Sequence, residues 1–146
     1  MTGTRAIQTF EVSLKVALFH RERLLLLQES DTGYWELPGG RIDVGEERLP
    51  HAAILAREIS EELGPAIRYA LRPEAVTWVR QRPTDGAFQF LCARLAEVSD
   101  PRLQLSAEHA TFRWCVPEDW ATLAFPPLSD YRDGLARIWD LRPSAK

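Results

Sequence analysis

Three glutamates recur within one short stretch, Arg57-Glu58-Ile59-Ser60-Glu61-Glu62-Leu63-Gly64. At about 100° per residue, with Glu58 at zero, Glu62 falls near 40° and Glu61 near −60°, so a helix carries all three on one side. Leu55, Ile59, Ala52, Leu63 and Ala56 fall between about 60° and 160°, which predicts a separate apolar face docked on a core. Like charges at these spacings repel by a few tenths of a kcal/mol per pair, and only Arg57 is adjacent to offset them. Two chemistries suit the pattern. One is a plain solvated acidic face; the other is a ligand set for a hard divalent cation, which shares its oxygen shell between carboxylates, waters and substrate phosphates.

The elements that must position these side chains are legible on both flanks. Pro50 suits the first turn of a helix, Gly64 suits the left-handed residue after its last turn, and Pro65 prevents continuation. Upstream, Gly39-Gly40 lacks side chains and lets backbone approach a ligand closely. Gly40, five residues, Glu46 and then Arg57-Glu58-Ile59-Ser60-Glu61-Glu62-Leu63-Gly64 together resemble the signature of the Nudix hydrolases, and Tyr34-Trp35-Glu36-Leu37-Pro38-Gly39 resembles that family's approach to it. Ten residues separate Glu46 from Arg57 where the family has seven, and Pro65 stands where an aliphatic residue is usual. The excess is placed in the loop around Arg48 to His51, because proline is tolerated at a helix start and not inside one.

The resemblance implies a metal shell of Glu58, Glu61, Glu62 and the Gly39 carbonyl, filled by Mg²⁺ or Mn²⁺. It also implies that Glu46 braces the loop and that Arg57 orients Glu58. Arg41 either meets a substrate phosphate or is a solvated loop arginine. A second segment, Ser106-Ala107-Glu108-His109-Ala110-Thr111-Phe112-Arg113-Trp114, resembles one in several Nudix pyrophosphohydrolases whose glutamate adds a ligand or base opposite the helix. Glu108 is therefore read as a site residue or as a loop carboxylate, and His109 as a polar loop residue.

The expected activity is divalent-metal-dependent hydrolysis of a pyrophosphate bond in a nucleoside di- or triphosphate or a nucleoside diphosphate derivative. Glu58 or Glu108 is the expected base, and the Glu108 segment leans towards triphosphates. Alternatives are a non-catalytic nucleotide-sensing domain on the same fold, a plain interaction domain, or an isopentenyl-diphosphate-type isomerase, which needs a well-placed cysteine.

Composition agrees with that frame. At 146 residues, with 45% hydrophobic and 27% charged residues, the chain reads as one domain over residues 1–146. Its net charge of −3 gives no global attraction to nucleic acid, so bulk nucleic-acid binding is not expected. Cys92 and Cys115 lie in apolar runs as small buried hydrophobes, which argues against a zinc site. The chain shows neither a leader-like series nor an apolar run of about 18 residues, so a cytoplasmic protein without membrane contact is expected. The partner is a nucleotide or nucleotide derivative, and a homodimer is left open.

The pattern elsewhere predicts a loose lead-in over residues 1–9, strands over Phe10–Phe19 and Leu24–Leu27, and extended segments over Ile67–Ala70 and Ala75–Gln81. Strands over Phe88–Leu95 and Thr111–Val116 follow, then a short helix from Pro117 and a helix over Asp130–Leu141 capped by Ser129. Strands and helices do not alternate simply, which disfavours a doubly wound sheet. The fold class is α/β: a mixed β-sheet sandwiched between α-helices, the Nudix fold.

Overall fold

The first strand is buried on both faces from Ser13 to Phe19, its polar positions included, and it is the centre of the molecule. The computed structural model describes residues 3–144, so Met1 and Thr2, within the expected lead-in, and Ala145 and Lys146 lie outside the described residues. In chain order the elements are β1 (Glu11–His20), β2 (Arg23–Glu29), β3 (Trp35–Glu36), β4 (Gly39–Arg41), α1 (His51–Leu63), β5 (Arg68–Gln81), β6 (Phe88–Asp100), β7 (His109–Cys115), α2 (Pro117–Trp120) and α3 (Tyr131–Asp140). The strands form one mixed sheet in the order β3-β2-β1-β6-β5, with β4 also on β1 and β7 also on β2.

β1 runs parallel to β6, from Glu11 opposite Gln89 to Phe19 opposite Glu97. On its other edge it meets β2 at the turn end, Phe19 opposite Leu24, and β4 further back, Leu14 opposite Gly40. β2 then departs to pair with β3 and β7. The sheet forks between β1 and β2, and the functional side chains gather in that fork.

Helices cover both faces, as the sequence predicts. Leu14, Val16 and Leu18 pack with Ile54, Leu55, Ile59 and Leu63 of α1. Ala17 and Phe19 pack on the other face with Tyr131, Leu135 and Ile138 of α3. Full burial of Leu55, Ile59 and Leu63 stabilises the docking of α1 by roughly 1.5–3 kcal/mol each.

Several local expectations are corrected. The extended segments expected over Ile67–Ala70 and Ala75–Gln81 join, from Arg68 onward, in one strand, β5, which keeps pairing with β6 across an irregularity between Leu71 and Ala75. Asp130, not Ser129, occupies the cap position of α3, because the Ser129 hydroxyl donates to the Pro126 carbonyl instead. Gly64 has φ 80° but ψ 179°, positive yet extended, because the chain leaves α1 straight towards β5. Cys115 is buried as expected, whereas Cys92 is half-buried.

Candidate active site

Helix α1 starts at His51, directly after Pro50, so the three additional residues lie in the loop as predicted. The long loop is still braced. Arg57 donates from Nε and Nη2 to the two oxygens of Glu46, at 2.8 and 2.7 Å, and Glu46 also accepts the Asp43 N–H at 3.0 Å. Bidentate, charge-assisted pairing of this kind fixes geometry as well as charge, and it holds the Glu46 carboxyl below its usual range. The same guanidinium reaches Glu58 at 3.1 Å and Glu61 at 3.2 Å, so one cation orients three carboxylates.

The expected split between an acidic and an apolar face of α1 is not what forms. Glu58 and Glu62 are buried together with Ile54, Leu55, Ile59 and Leu63, while Ala52 and Ala56 are exposed. The reason is the Gly39-Gly40 pair that opens β4, which lies against the helix. The Gly39 N–H donates to Glu62 Oε2 at 2.8 Å, and a Cβ at Gly40 would stand 2.7 Å from Glu58 Oε1. Gly39 itself has φ 131°, where side chains are strained, and its Cβ would strike the Leu14 carbonyl. Burial pushes the Glu62 carboxyl up to about 7, against the pull of Lys15 and the Gly39 N–H. Burial also raises Glu58, with Arg57 opposing it. Two carboxylates shut away from water are poised to bind a cation that neutralises them.

Glu58, Glu61, Glu62, Arg57 and Arg41 line a cleft of about 340 Å³, together with the exposed Glu108. Arg41 is at the rim, half engaged by Glu11 at 3.2 Å. Neither cysteine lines this cleft or the pocket beside it.

The adjoining pocket, of about 390 Å³, shares Arg41, Glu62 and Glu108 with the cleft and holds side chains that sequence reasoning missed. Lys15 is buried in the fork. Its ammonium donates to the Gly39 carbonyl at 3.3 Å and lies 3.6 Å from Glu36 Oε2, while Glu36 Oε1 faces His109 Nε2 at 3.0 Å. Burial alone would lower the pKa of Lys15, but Glu36, Tyr131, Glu62 and Glu58 outweigh it and raise it. Burial would likewise raise Glu36, yet Lys15 and His109 hold it low. Tyr131 of α3 supports the same segment, its hydroxyl accepting the Leu37 N–H at 2.8 Å.

His109 is not the loop residue expected from sequence. It opens β7, opposite Glu29 of β2, and is buried. Among the described residues, Glu62, Glu108 and His109 place ligand atoms within 4.8 Å of one another. Lys15 carried one usable signal: a strand covered by helices on both faces buries its polar positions too, so a lysine at its middle needs partners.

Comparison with known proteins agrees with this geometry. The chain is 31% identical over 99 residues to a MutT-like protein of Streptomyces ambofaciens, a match covering 66% of this chain and 57% of that relative. The chain thus spans little more than half the length of that relative. Its fold superposes on an Ap4A hydrolase from C. elegans with a TM-score of 0.70 at 22% identity, covering 90% of this chain and 96% of the other. An ADP-ribose pyrophosphatase from Streptococcus suis gives a TM-score of 0.68 at 20% identity, covering 94% and 96%. The model of the NUDIX domain matches residues 10–134, and the chain belongs to that family.

Proposed function

We propose that this protein is a nucleotide pyrophosphohydrolase, cleaving a pyrophosphate bond in a nucleoside di- or triphosphate or a nucleoside diphosphate derivative with Mg²⁺ or Mn²⁺. The observation that carries this reading is the Arg57-ordered cleft, where Glu58 and Glu62 are held against the Gly39-Gly40 backbone. The names of the two superposed proteins support a nucleotide derivative as substrate.

The residues fit a hard divalent cation: Glu61, Glu62 and the Gly39 carbonyl offer oxygen ligands, with Glu58 and Glu108 beside them. When bound, such an ion supplies charge neutralisation of phosphate oxygens and acidification of water. Glu58 takes the proton of the attacking water, its raised pKa bringing it towards neutrality, and Glu108 is the alternative base. Arg57 keeps Glu58 in place. Arg41, at the rim of both cavities, meets an outer phosphate. The neighbouring pocket takes the group attached to the pyrophosphate.

The test is a panel of nucleoside triphosphates, dinucleoside polyphosphates and nucleoside diphosphate sugars, incubated with Mg²⁺ or Mn²⁺ and followed by phosphate release after pyrophosphatase or phosphatase treatment. Turnover of at least one class, abolished by EDTA, is expected. Tight nucleotide binding with no turnover in either metal would instead establish the sensing domain.

A further inference from the structure

His109 has a nitrogen that the hydrolase reading leaves without a role. Its side chain is 2% exposed, Nε2 lies 3.0 Å from Glu36 Oε1, and Nδ1 is buried with no hydrogen-bond partner. An ionised carboxylate only accepts, so Nε2 carries a proton, and Nδ1 is the nitrogen left for an ion, which displaces any proton held there. A buried nitrogen without a partner is costly unless something binds it.

The surroundings say what that is. One ring nitrogen of His109 and one oxygen from each of Glu62 and Glu108 lie within 4.8 Å of one another. An ion bonded at about 2.0–2.2 Å holds neighbouring ligands roughly 3.0–3.5 Å apart, so side chains now within 4.8 Å of one another close in by up to about 1.5 Å to complete the set. Glu62 uses Oε2 to accept the Gly39 N–H, which leaves Oε1 for an ion. Glu36, anchored in turn by Lys15, orients the imidazole in the way carboxylates hold metal-bound histidines.

We propose that Glu62, Glu108 and His109 form a mixed nitrogen and oxygen cation position, which takes a borderline transition ion such as Mn²⁺, Co²⁺ or Zn²⁺ in preference to Mg²⁺. Imidazole suits those ions, whereas Mg²⁺ favours an all-oxygen shell and keeps much of its water. The position adjoins the outer carboxylates of α1 and shares Glu62 with them. It rests on the same cleft as the hydrolase reading but does not require turnover.

The test is calorimetric titration of the full chain with cobalt chloride or magnesium chloride alone, with no nucleotide present. The wild-type protein is expected to bind Co²⁺ at least tenfold more tightly than Mg²⁺. His109→Gln is expected to lose about ten- to a hundredfold in Co²⁺ affinity while its Mg²⁺ affinity changes less than twofold. Equal Co²⁺ affinity in the wild type and the folded variant overturns the proposal. If His109→Gln does not fold, the Co²⁺-loaded wild type decides alone: an exchangeable, hyperfine-shifted imidazole N–H resonance is expected, and its absence overturns the proposal. An inactive protein that passes these tests sinks the hydrolase reading and leaves this site standing, and an active protein that fails them does the reverse.

Discussion

Two charged clusters flank the same Gly39-Gly40 pair, and they are built on opposite principles. The outer one gathers Glu46, Glu58 and Glu61 around Arg57, from a single segment of chain, with the guanidinium one-third exposed. The inner one sets Lys15 and His109 against Glu36 and Glu62, from three strands and a helix, and is largely buried in the wall of the pocket. Arg57 and Glu61 lie near solvent, where charges contribute little net stability, so the outer cluster serves geometry: it fixes the loop and orients the buried Glu58. Buried charges each depend on the other, so the inner cluster is where removing one partner leaves another stranded. Chemistry and stability are thus separable on the two sides of one glycine pair.

The sharpest way to break that separation is Glu58→Gln. Loss of a general base typically costs about a hundred- to ten-thousand-fold in turnover, and the melting temperature should hold or rise, since a buried charge is removed. Steady-state hydrolysis and calorimetry on the same preparation check this. Wild-type turnover at saturating metal would hand the role of base to Glu108.

Next in size is Lys15→Met, which leaves Glu36 and Glu62 without their buried counter-charge. Urea denaturation should show a loss of about 3–5 kcal/mol. Arg57→Met should cost about 1 kcal/mol or less while cutting turnover severely. Similar stability losses in the two variants would erase the contrast between the clusters.

A pH series sharpens the comparison at Glu62, which belongs to both sides. Its carboxyl titrates at about 7 in the folded chain against 4.5 in the unfolded one. In metal-free protein its contribution to stability is therefore fully present below pH 4.5 and is lost as pH rises through 7. A bound divalent ion favours the ionised form and reverses that trend. The rise in melting temperature with Mn²⁺ should be small at about pH 5.5 and grow towards about pH 8, where linkage gives about 2.7 kcal/mol at a hundred times Kd. An increment that ignores pH would remove Glu62 from the ligand set.

The smallest effect is expected from deleting Arg48 to Pro50. Shortening a surface loop changes stability by a fraction of a kcal/mol, and the Glu46–Arg57 pair spans the shorter loop. Denaturant unfolding and metal-dependent hydrolysis should both survive. Loss of either would show that the loop holds the outer cluster in a way its ion pairs alone do not.

The two clusters also explain what could be read in advance. Arg57, Glu58, Glu61 and Glu62 sit on one helix at fixed spacing, and Pro50 marks where that helix begins, so local rules locate them. Lys15, Glu36 and His109 are brought together by β1, β3 and β7, through pairings no periodicity encodes. For the same reason the burial of Glu58 and Glu62 was missed: the wheel gives their angular position on the helix, but not that a glycine pair from a neighbouring strand would cover them. The sandwich itself was legible because β1 alternates in sequence, β2 is a short apolar run, and α1 and α3 carry apolar residues at helical spacing. The joining of two extended segments into β5 was not, because the intervening Leu71-Arg72-Pro73-Glu74 reads as a break.

The central place of β1 governs when the site comes into being. Lys15 is paired on one edge with Gly39 and on the other with Ala93, so its amide is enclosed by a sheet that includes distant segments of the chain. Native-state hydrogen exchange at Lys15 should proceed only through global unfolding, whereas amides in the loop over residues 42–50 should exchange through local openings. The parallel register of β1 with β6, Glu11 opposite Gln89, also gives the fold a high contact order, which slows folding. The Gly39-Gly40 backbone that meets Glu62 is paired directly to β1, so metal protection should appear in the same kinetic phase as protection of that strand.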